Sequence, residues 1–113
     1  MNMDKRACPC GCGLDNMSDA LIRLIAQIEE WSDVIIVLTS GARCEKYNVQ
    51  IKGTRNSAHL RGLAADVACD SSKDRWKIIT AANTVGINRI GIGDTFVHLD
   101  IDPSLTPQRT WIY

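Results

Sequence analysis

The sequence predicts one α+β domain over residues 1–113, with a small, mostly antiparallel sheet flanked by helices. Apolar residues recur at helical spacing in residues 17–31 and 73–85, which predicts two of these helices. Residues 88–93 and 96–101 read as short strands joined across a Gly-Asp turn, which predicts a hairpin. A chain of this length suits one ordinary domain, and it shows no repeat or linker that would divide it.

The first half of the chain predicts an arm, a helix, a strand and a short helix. Residues 1–15 are rich in Cys, Gly and Pro and are expected to form the irregular arm. Residues 16–19, with the sequence Asn-Met-Ser-Asp, offer N-cap side chains and an early acid for the helix that follows. The apolar residues expected on its buried face are Leu21, Ile22, Leu24, Ile25, Ile28 and Trp31. The β-branched run 34–39 predicts a buried strand, and residues 44–51 are assigned to the short helix.

The second half predicts a loop, a strand, the second long helix and the hairpin. Residues 62–69 are expected to form a strand after a polar loop, and Ser71 with Asp74 provides a capping-box variant for the helix. The residues expected on the buried face of that helix are Trp76, Ile79, Ala82 and Val85. After the hairpin, residues 110–113 could return as a last strand.

Composition excludes several classes of protein. Thirteen Lys and Arg residues balance thirteen Asp and Glu residues, so the chain lacks the positive charge that a typical nucleic-acid-binding protein uses. No apolar run approaches the roughly 20 residues of a membrane span. The first residues lack the apolar core of a secretory signal, so we expect synthesis in the cytoplasm. We expect a monomer with no nucleic-acid or membrane partner.

The five cysteines include a closely spaced group near the start of the chain. Because the number is odd, a complete set of internal disulfides is impossible. Cys8, Cys10 and Cys12 have the spacing C-x-C-x-C and could hold a soft metal such as zinc, but no fourth ligand is evident nearby in the sequence. A tight loop of reduced or incidentally oxidised thiols is the alternative.

The chain's only two histidines, His59 and His98, stand near aspartates in or next to predicted strands. Period-two alternation places Asp66 on a face with small residues, and His98 on the face opposite the apolar residues of its strand. If the two strands are neighbours, two imidazoles and one carboxylate converge. That is the open, three-ligand set of a catalytic zinc site. The alternative is a loop histidine, a strand histidine with its own hydrogen bonds, and an aspartate in a turn.

Three segments carry a family resemblance. Ser57–Asp66 matches every fixed position of S-x-H-x-x-G-x-A-x-D, and so resembles the signature of the M15 family of zinc peptidases. Phe96–Asp100 resembles the family's block with the last zinc ligand, and Ser40–Arg43 resembles its S-G-x-R block. The Cys-rich opening, the first helix and the closing Trp-x-Tyr also look like small phage-type members, so the resemblance covers nearly the whole chain.

The resemblance implies a fold, a cofactor and a substrate class. The fold would be the one that D-Ala-D-Ala carboxypeptidases share with the hedgehog signalling domain, and Zn²⁺ would be held by His59, Asp66 and His98. The activity would be hydrolysis of a peptide bond in peptidoglycan stem peptides, by a D-Ala-D-Ala carboxypeptidase or an endolysin-type endopeptidase. A phage or prophage origin would follow, with action on the cell wall after release from the cytoplasm.

The resemblance also suggests roles for two polar side chains near the metal. Arg43 would steady the oxygen on which charge develops, although a surface ion pair is the alternative. Ser57 would contact the substrate, although a hydroxyl that caps its own loop is equally consistent with the sequence. Gly62 and Ala64 are interpreted as leaving space beside the metal.

The general base is less clear. Many M15 relatives carry an acid three residues before the last ligand or a histidine two before it, but here those positions are Thr95 and Phe96. Asp94 could swing into the site from the turn, and Asp100 could act as base or orient a zinc ligand. Because the usual base is missing, a catalytically inactive, zinc-stabilised wall-binding or structural module is the alternative function.

Overall fold

A computed structural model describes residues 1–113 and confirms the α+β class. The elements in chain order are α1 (Asp19–Ser32), β1 (Leu38–Ser40), α2 (Glu45–Gln50), a 3₁₀ helix (Ala58–Arg61), β2 (Ala64–Ala68), α3 (Ser72–Thr84), β3 (Arg89–Ile92), β4 (Phe96–Asp100) and β5 (Arg109–Ile112). None of the three α-helices has both the length and the apolar character needed to cross a bilayer.

The five strands form one sheet in the order β1-β2-β4-β3-β5. All neighbours are antiparallel except β3 and β5, which run parallel at one edge. The predicted hairpin is confirmed, with the Gly93 amide donating to the Phe96 carbonyl oxygen at 2.9 Å. From the sequence, the pairing of β2 with β4 was an assumption. The structure pairs them along their whole length, with Asp66 directly opposite His98.

The helices α1 and α3 cover the apolar face of the sheet, but two tryptophans predicted to be buried are exposed. Trp31 is 69% exposed and Trp76 is 68% exposed. In α1 the buried stripe continues through Ile28 to Ser32, which leaves Trp31 to one side. In α3 the buried residues centre on Ile78, about 200° around the helix from Trp76 at the usual 100° per residue.

The predicted strand at residues 34–39 was too long at its start. β1 begins only at Leu38, and Ile35 is exposed. Just before β1 the N-terminal arm lies alongside the chain, with a parallel bridge between Asn2 and Val37. The arm is otherwise irregular, as expected, and it packs closely on the body of the protein: a Cβ at Gly41 would lie 2.5 Å from the Arg6 carbonyl oxygen.

Candidate metal centre and cavity

Three side chains converge where the 3₁₀ helix, β2 and β4 meet. Asp66 Oδ1 lies 2.9 Å from His98 Nδ1 and 3.4 Å from His59 Nε2. One donor atom from each of the three residues lies within 4.8 Å of the other two. Both histidines are buried, with 2% and 5% of their surface exposed. The sequence-predicted ligand set is therefore brought together at a single point.

Local capping explains how His59 reaches this point. Ser57 is the N-cap of the 3₁₀ helix, and its Oγ accepts a hydrogen bond from the His59 amide at 3.2 Å. Gly62 ends the helix with φ +71°, a conformation that favours glycine. A Cβ at Gly62 would collide with the Asn16 carbonyl oxygen, so this glycine allows the segment just before α1 to approach. Its interpretation as a space-maker beside the metal was wrong.

Each imidazole has a hydrogen-bond acceptor at the ring nitrogen that does not face Asp66. His59 Nδ1 lies 2.8 Å from the Gly41 carbonyl oxygen, and His98 Nε2 lies 3.1 Å from Asp100 Oδ2. Because a carbonyl oxygen only accepts, His59 Nδ1 carries a proton, and the other ring nitrogen, Nε2, points at Asp66. Such an acceptor behind each ring is the usual support of a metal-binding histidine.

Electrostatics keep the cluster charged. Burial raises the pKa of Asp66, but hydrogen bonds from His59 and His98 outweigh it and hold the pKa far below its ordinary value. Burial opposes the charge on His98, but its bonds to Asp100 and Asp66 prevail and raise the pKa of the imidazole. The negative charge of the carboxylates therefore persists across the neutral range.

The donor set fits a zinc ion. Two imidazole nitrogens and one carboxylate are typical of an open zinc site that keeps one position for water or substrate. If both rings are neutral, the lone pairs of His59 Nε2 and His98 Nδ1 face the same oxygen of Asp66. A divalent cation bound among these atoms would relieve the repulsion between their lone pairs. His59, Asp66 and His98 are thus the residues that would hold zinc.

A cavity of about 530 Å³ opens directly onto these three side chains. Arg43 and Ser57 both line it. The Arg43 Nη1 donates to Asn48 Oδ1 at 2.9 Å, whereas its buried Nε has no hydrogen-bond partner. Ser57 is buried and already accepts a bond as a cap, and its hydroxyl can still donate one.

Comparison with known proteins shows the family to which the chain belongs. The sequence model of the family Peptidase M15 matches residues 1–100. The chain belongs to the peptidase M15 family. Among solved structures, the L-Ala D-Glu endopeptidase ChiX of Serratia marcescens is similar, with 20% sequence identity and a TM-score of 0.56 over 77% of this chain and 81% of that chain. At that identity the likeness shows a shared fold. The curated proteins gave no match.

The two candidate bases of this M15 peptidase lie in different surroundings. Asp94 is exposed in the turn between β3 and β4 and is not among the residues that line the cavity. Asp100 lines the cavity but is only 1% exposed. Its Oδ2 faces His98 and forms an ion pair with Arg89 at 3.3 Å, and its Oδ1 accepts from the Asp102 amide at 2.8 Å. Both of its oxygens are therefore occupied.

Sequence reasoning missed an aromatic wall on the β5 side of the cavity. Trp111 and Tyr113 both line it, and the Trp111 ring lies 5.3 Å from the His98 ring between centroids. Gly91 makes room for them, because a Cβ there would approach Tyr113 to 2.6 Å and Trp111 Nε1 to 2.7 Å. Arg89 stacks on Trp111, with its Cζ 5.1 Å from the ring centroid. The only signal in the sequence was the closing Trp-x-Tyr.

Proposed function

We propose that this M15 peptidase is a zinc-dependent hydrolase that cleaves a peptide bond in peptidoglycan stem peptides. The observation that carries the proposal is the convergence of His59, Asp66 and His98 at an open cavity, with an acceptor behind each imidazole. A structural metal site would be closed by a fourth protein ligand, whereas this donor set has three.

Zinc, when bound there, would polarise the scissile carbonyl and lower the pKa of water to about 7. The chain's own residues would do the rest. Asp66 would supply the negative charge that balances the cation, and the acceptors behind His59 and His98 would fix both rings. Arg43, whose buried Nε is free, would donate to the carbonyl oxygen as negative charge develops on it.

The cavity lining suits a peptide that carries carboxylates. Arg43 and Lys52 line one side, and the charge of Arg89 is already balanced by Asp100. Stem peptides of peptidoglycan bear a carboxylate at D-Glu and at their D-Ala end, so these cations have a counterpart in the substrate. The bond cleaved would be the terminal D-Ala–D-Ala bond, an internal L-Ala–D-Glu bond or a cross-link, and each leaves a different new terminus.

Digestion of purified cell walls tests the proposal. Mass analysis of the released muropeptides should show one kind of new terminus, which identifies the bond. Release should stop with a strong chelator, return with zinc, and be abolished in Asp66→Asn. The matched control is Asp70→Asn, an exposed carboxylate just after β2, which should leave release unchanged. Undiminished release after complete removal of zinc would exclude the proposed mechanism.

A second candidate function is a zinc-stabilised module that binds cell wall without hydrolysing it. The observation that favours it is the lack of a free base: Asp66 would be a ligand, Asp100 is fully engaged, and Asp94 lies outside the lining. This candidate predicts zinc-dependent melting and wall binding without muropeptide release. Any release that Asp66→Asn abolishes would contradict it.

The likeness to small phage-type members supports a further part of the proposal. The enzyme would be made in the cytoplasm and reach the wall only after release, during lysis or from a virion. Expression in a bacterial cytoplasm should then be tolerated until the inner membrane is permeabilised, when culture turbidity should fall. Lysis that begins without permeabilisation would contradict this part.

A further inference from the structure

Four of the five cysteines meet where the N-terminal arm contacts the start of α2. The sulfur atoms of Cys8, Cys10, Cys12 and Cys44 all lie within 4.8 Å of one another. The sulfur of Cys10 lies 3.5 Å from that of Cys8 and 3.6 Å from that of Cys44. The fourth thiol, which the C-x-C-x-C spacing alone did not supply, comes from a residue more than thirty positions along the chain.

These sulfur separations suit a shared cation better than a covalent bond. A tetrahedral zinc site with Zn–S distances of about 2.3 Å has sulfur atoms about 3.8 Å apart along each edge. A disulfide would need about 2.05 Å. All five cysteines are free thiols. The observed spacings of 3.5 and 3.6 Å therefore lie close to the zinc geometry and far from that of a disulfide.

The backbone around the thiols is arranged to support thiolate charge. The Cys44 amide donates to Cys8 Sγ at 3.3 Å, and the Tyr47 amide donates to Cys44 Sγ at 3.4 Å. Gly11 and Gly13 adopt φ values of +84° and +86°, so the arm can turn tightly between successive thiols. Amide donors to sulfur are the contacts that stabilise and orient metal-bound thiolates.

We propose that Cys8, Cys10, Cys12 and Cys44 form a second zinc site, a closed tetrathiolate centre with a structural role. Soft thiolate ligands select zinc over the hard cations, and four protein ligands leave no position for substrate. The site is separate from the cluster of His59, Asp66 and His98 and does not depend on hydrolysis.

The consequence of this site would be to fasten the arm against residues 41–44. Next to Cys44, the Arg43 amide donates to the His59 carbonyl oxygen at 3.2 Å, and the Ala42 amide donates to the Arg6 carbonyl oxygen at 2.7 Å. The thiolate centre would therefore hold in place the segment that carries Arg43. Its loss should lower the thermal midpoint and loosen the cavity without removing a zinc ligand from it.

Metal analysis of the full-length chain, purified under reducing conditions with zinc present, tests the proposal. Wild type should hold two equivalents of zinc per chain. Cys10→Ser and Cys12→Ser change exposed residues whose loss costs no core packing, and each should lose one equivalent. Cys69→Ala, outside the cluster, is the matched control and should keep two. Asp66→Asn should lose only the other equivalent, so failure of the proposed function and of this proposal would look different.

Cobalt provides an independent readout. Cobalt-substituted wild type should show the intense sulfur-to-cobalt charge-transfer absorption of a thiolate site, and Cys10→Ser should lose most of it. The absorption should persist in Asp66→Asn. A single zinc equivalent in wild type that Cys10→Ser leaves unchanged would overturn the proposal. So would a disulfide within the cluster in protein kept under reducing conditions, shown by fewer than five titratable thiols after unfolding in chelator.

Discussion

Replacing Asp100 with asparagine tests whether this buried carboxylate positions a zinc ligand or acts as the base. One oxygen of Asp100 faces His98 Nε2 at 3.1 Å, and the other accepts from the Asp102 amide at 2.8 Å. Asparagine has one acceptor oxygen, so its NH₂ group must face one of these two donors. The shape of the side chain is kept, but one contact becomes a clash of two donors and Arg89 loses its counter-ion.

We expect Asp100→Asn to lower the affinity of the site for zinc. Loss of a carboxylate behind a metal-binding histidine costs about 10–100-fold in metal affinity or activity. That range corresponds to about 1.4–2.8 kcal/mol of binding free energy. Because His98 Nδ1 faces the zinc position, a ring that is no longer fixed at Nε2 should lower affinity and hydrolysis together.

Titration of the apoprotein in a chelator-buffered zinc series, with the thermal midpoint and wall hydrolysis as readouts, measures both effects. Asp70→Asn serves again as the exposed control. If Asp100 were instead the general base, hydrolysis would fall by about 10²–10⁴-fold while zinc affinity stayed the same. Wild-type values of both quantities in Asp100→Asn would refute the reasoning altogether.

Three further changes test the cavity wall, the core and a buried acid. Gly91→Ala should lower the free energy of unfolding by about 1–3 kcal/mol and raise KM, because its Cβ would come within 2.8 Å of Trp111 and Tyr113. An unchanged KM would show that this aromatic wall does not contact substrate. Ile78→Ala, at a fully buried position, should lower the free energy of unfolding by about 2–5 kcal/mol, whereas the exposed Trp76→Ala should change it by about 0.5 kcal/mol or less in denaturant titration. Burial raises the pKa of Asp102, but hydrogen bonds from Ser104 outweigh it and hold the pKa below its ordinary value. The ionised Asp102 should therefore stabilise the folded protein fully above the unfolded pKa of about 3.9, and this contribution should be lost as the pH falls through the folded pKa. Wild type and Asp102→Asn should differ in free energy of unfolding at pH 7 and converge in acid.

Local patterns predicted the direction in which two of the three candidate ligands face, because alternation along a strand is a local property. Asp66 and His98 each lie on a regular strand, so period-two alternation predicted that both side chains face away from the apolar core. The same count fails for Asp94, because β4 begins only at Phe96 and the turn before it breaks the alternation. Asp94 instead lies exposed in that turn and is not among the residues that line the cavity.

Alternation within one strand cannot predict which distant segments of the chain come into contact. The neighbourhood of β2 and β4 had to be supposed, and the contact of the arm with Cys44 had no local signature at all. The aromatic wall has the same origin, because it exists only when β5 returns parallel to β3 beside Gly91. The two exposed tryptophans show the converse error: Trp31 lies beside the buried stripe of α1 and Trp76 lies on the opposite side of α3 from Ile78, because tertiary packing selects which apolar residues are buried.

Residues 41–44 connect the candidate catalytic centre to the rest of the molecule. The Gly41 carbonyl oxygen holds His59, Arg43 reaches into the cavity, and Cys44 belongs to the thiol cluster. The rigidity of this segment depends on the contacts that hold it in place. The close packing of Arg6 on Gly41 is one such constraint, and the proposed thiolate centre would be a second. A metal that never touches substrate would then determine how firmly Arg43 and the proposed zinc ligand His59 are held.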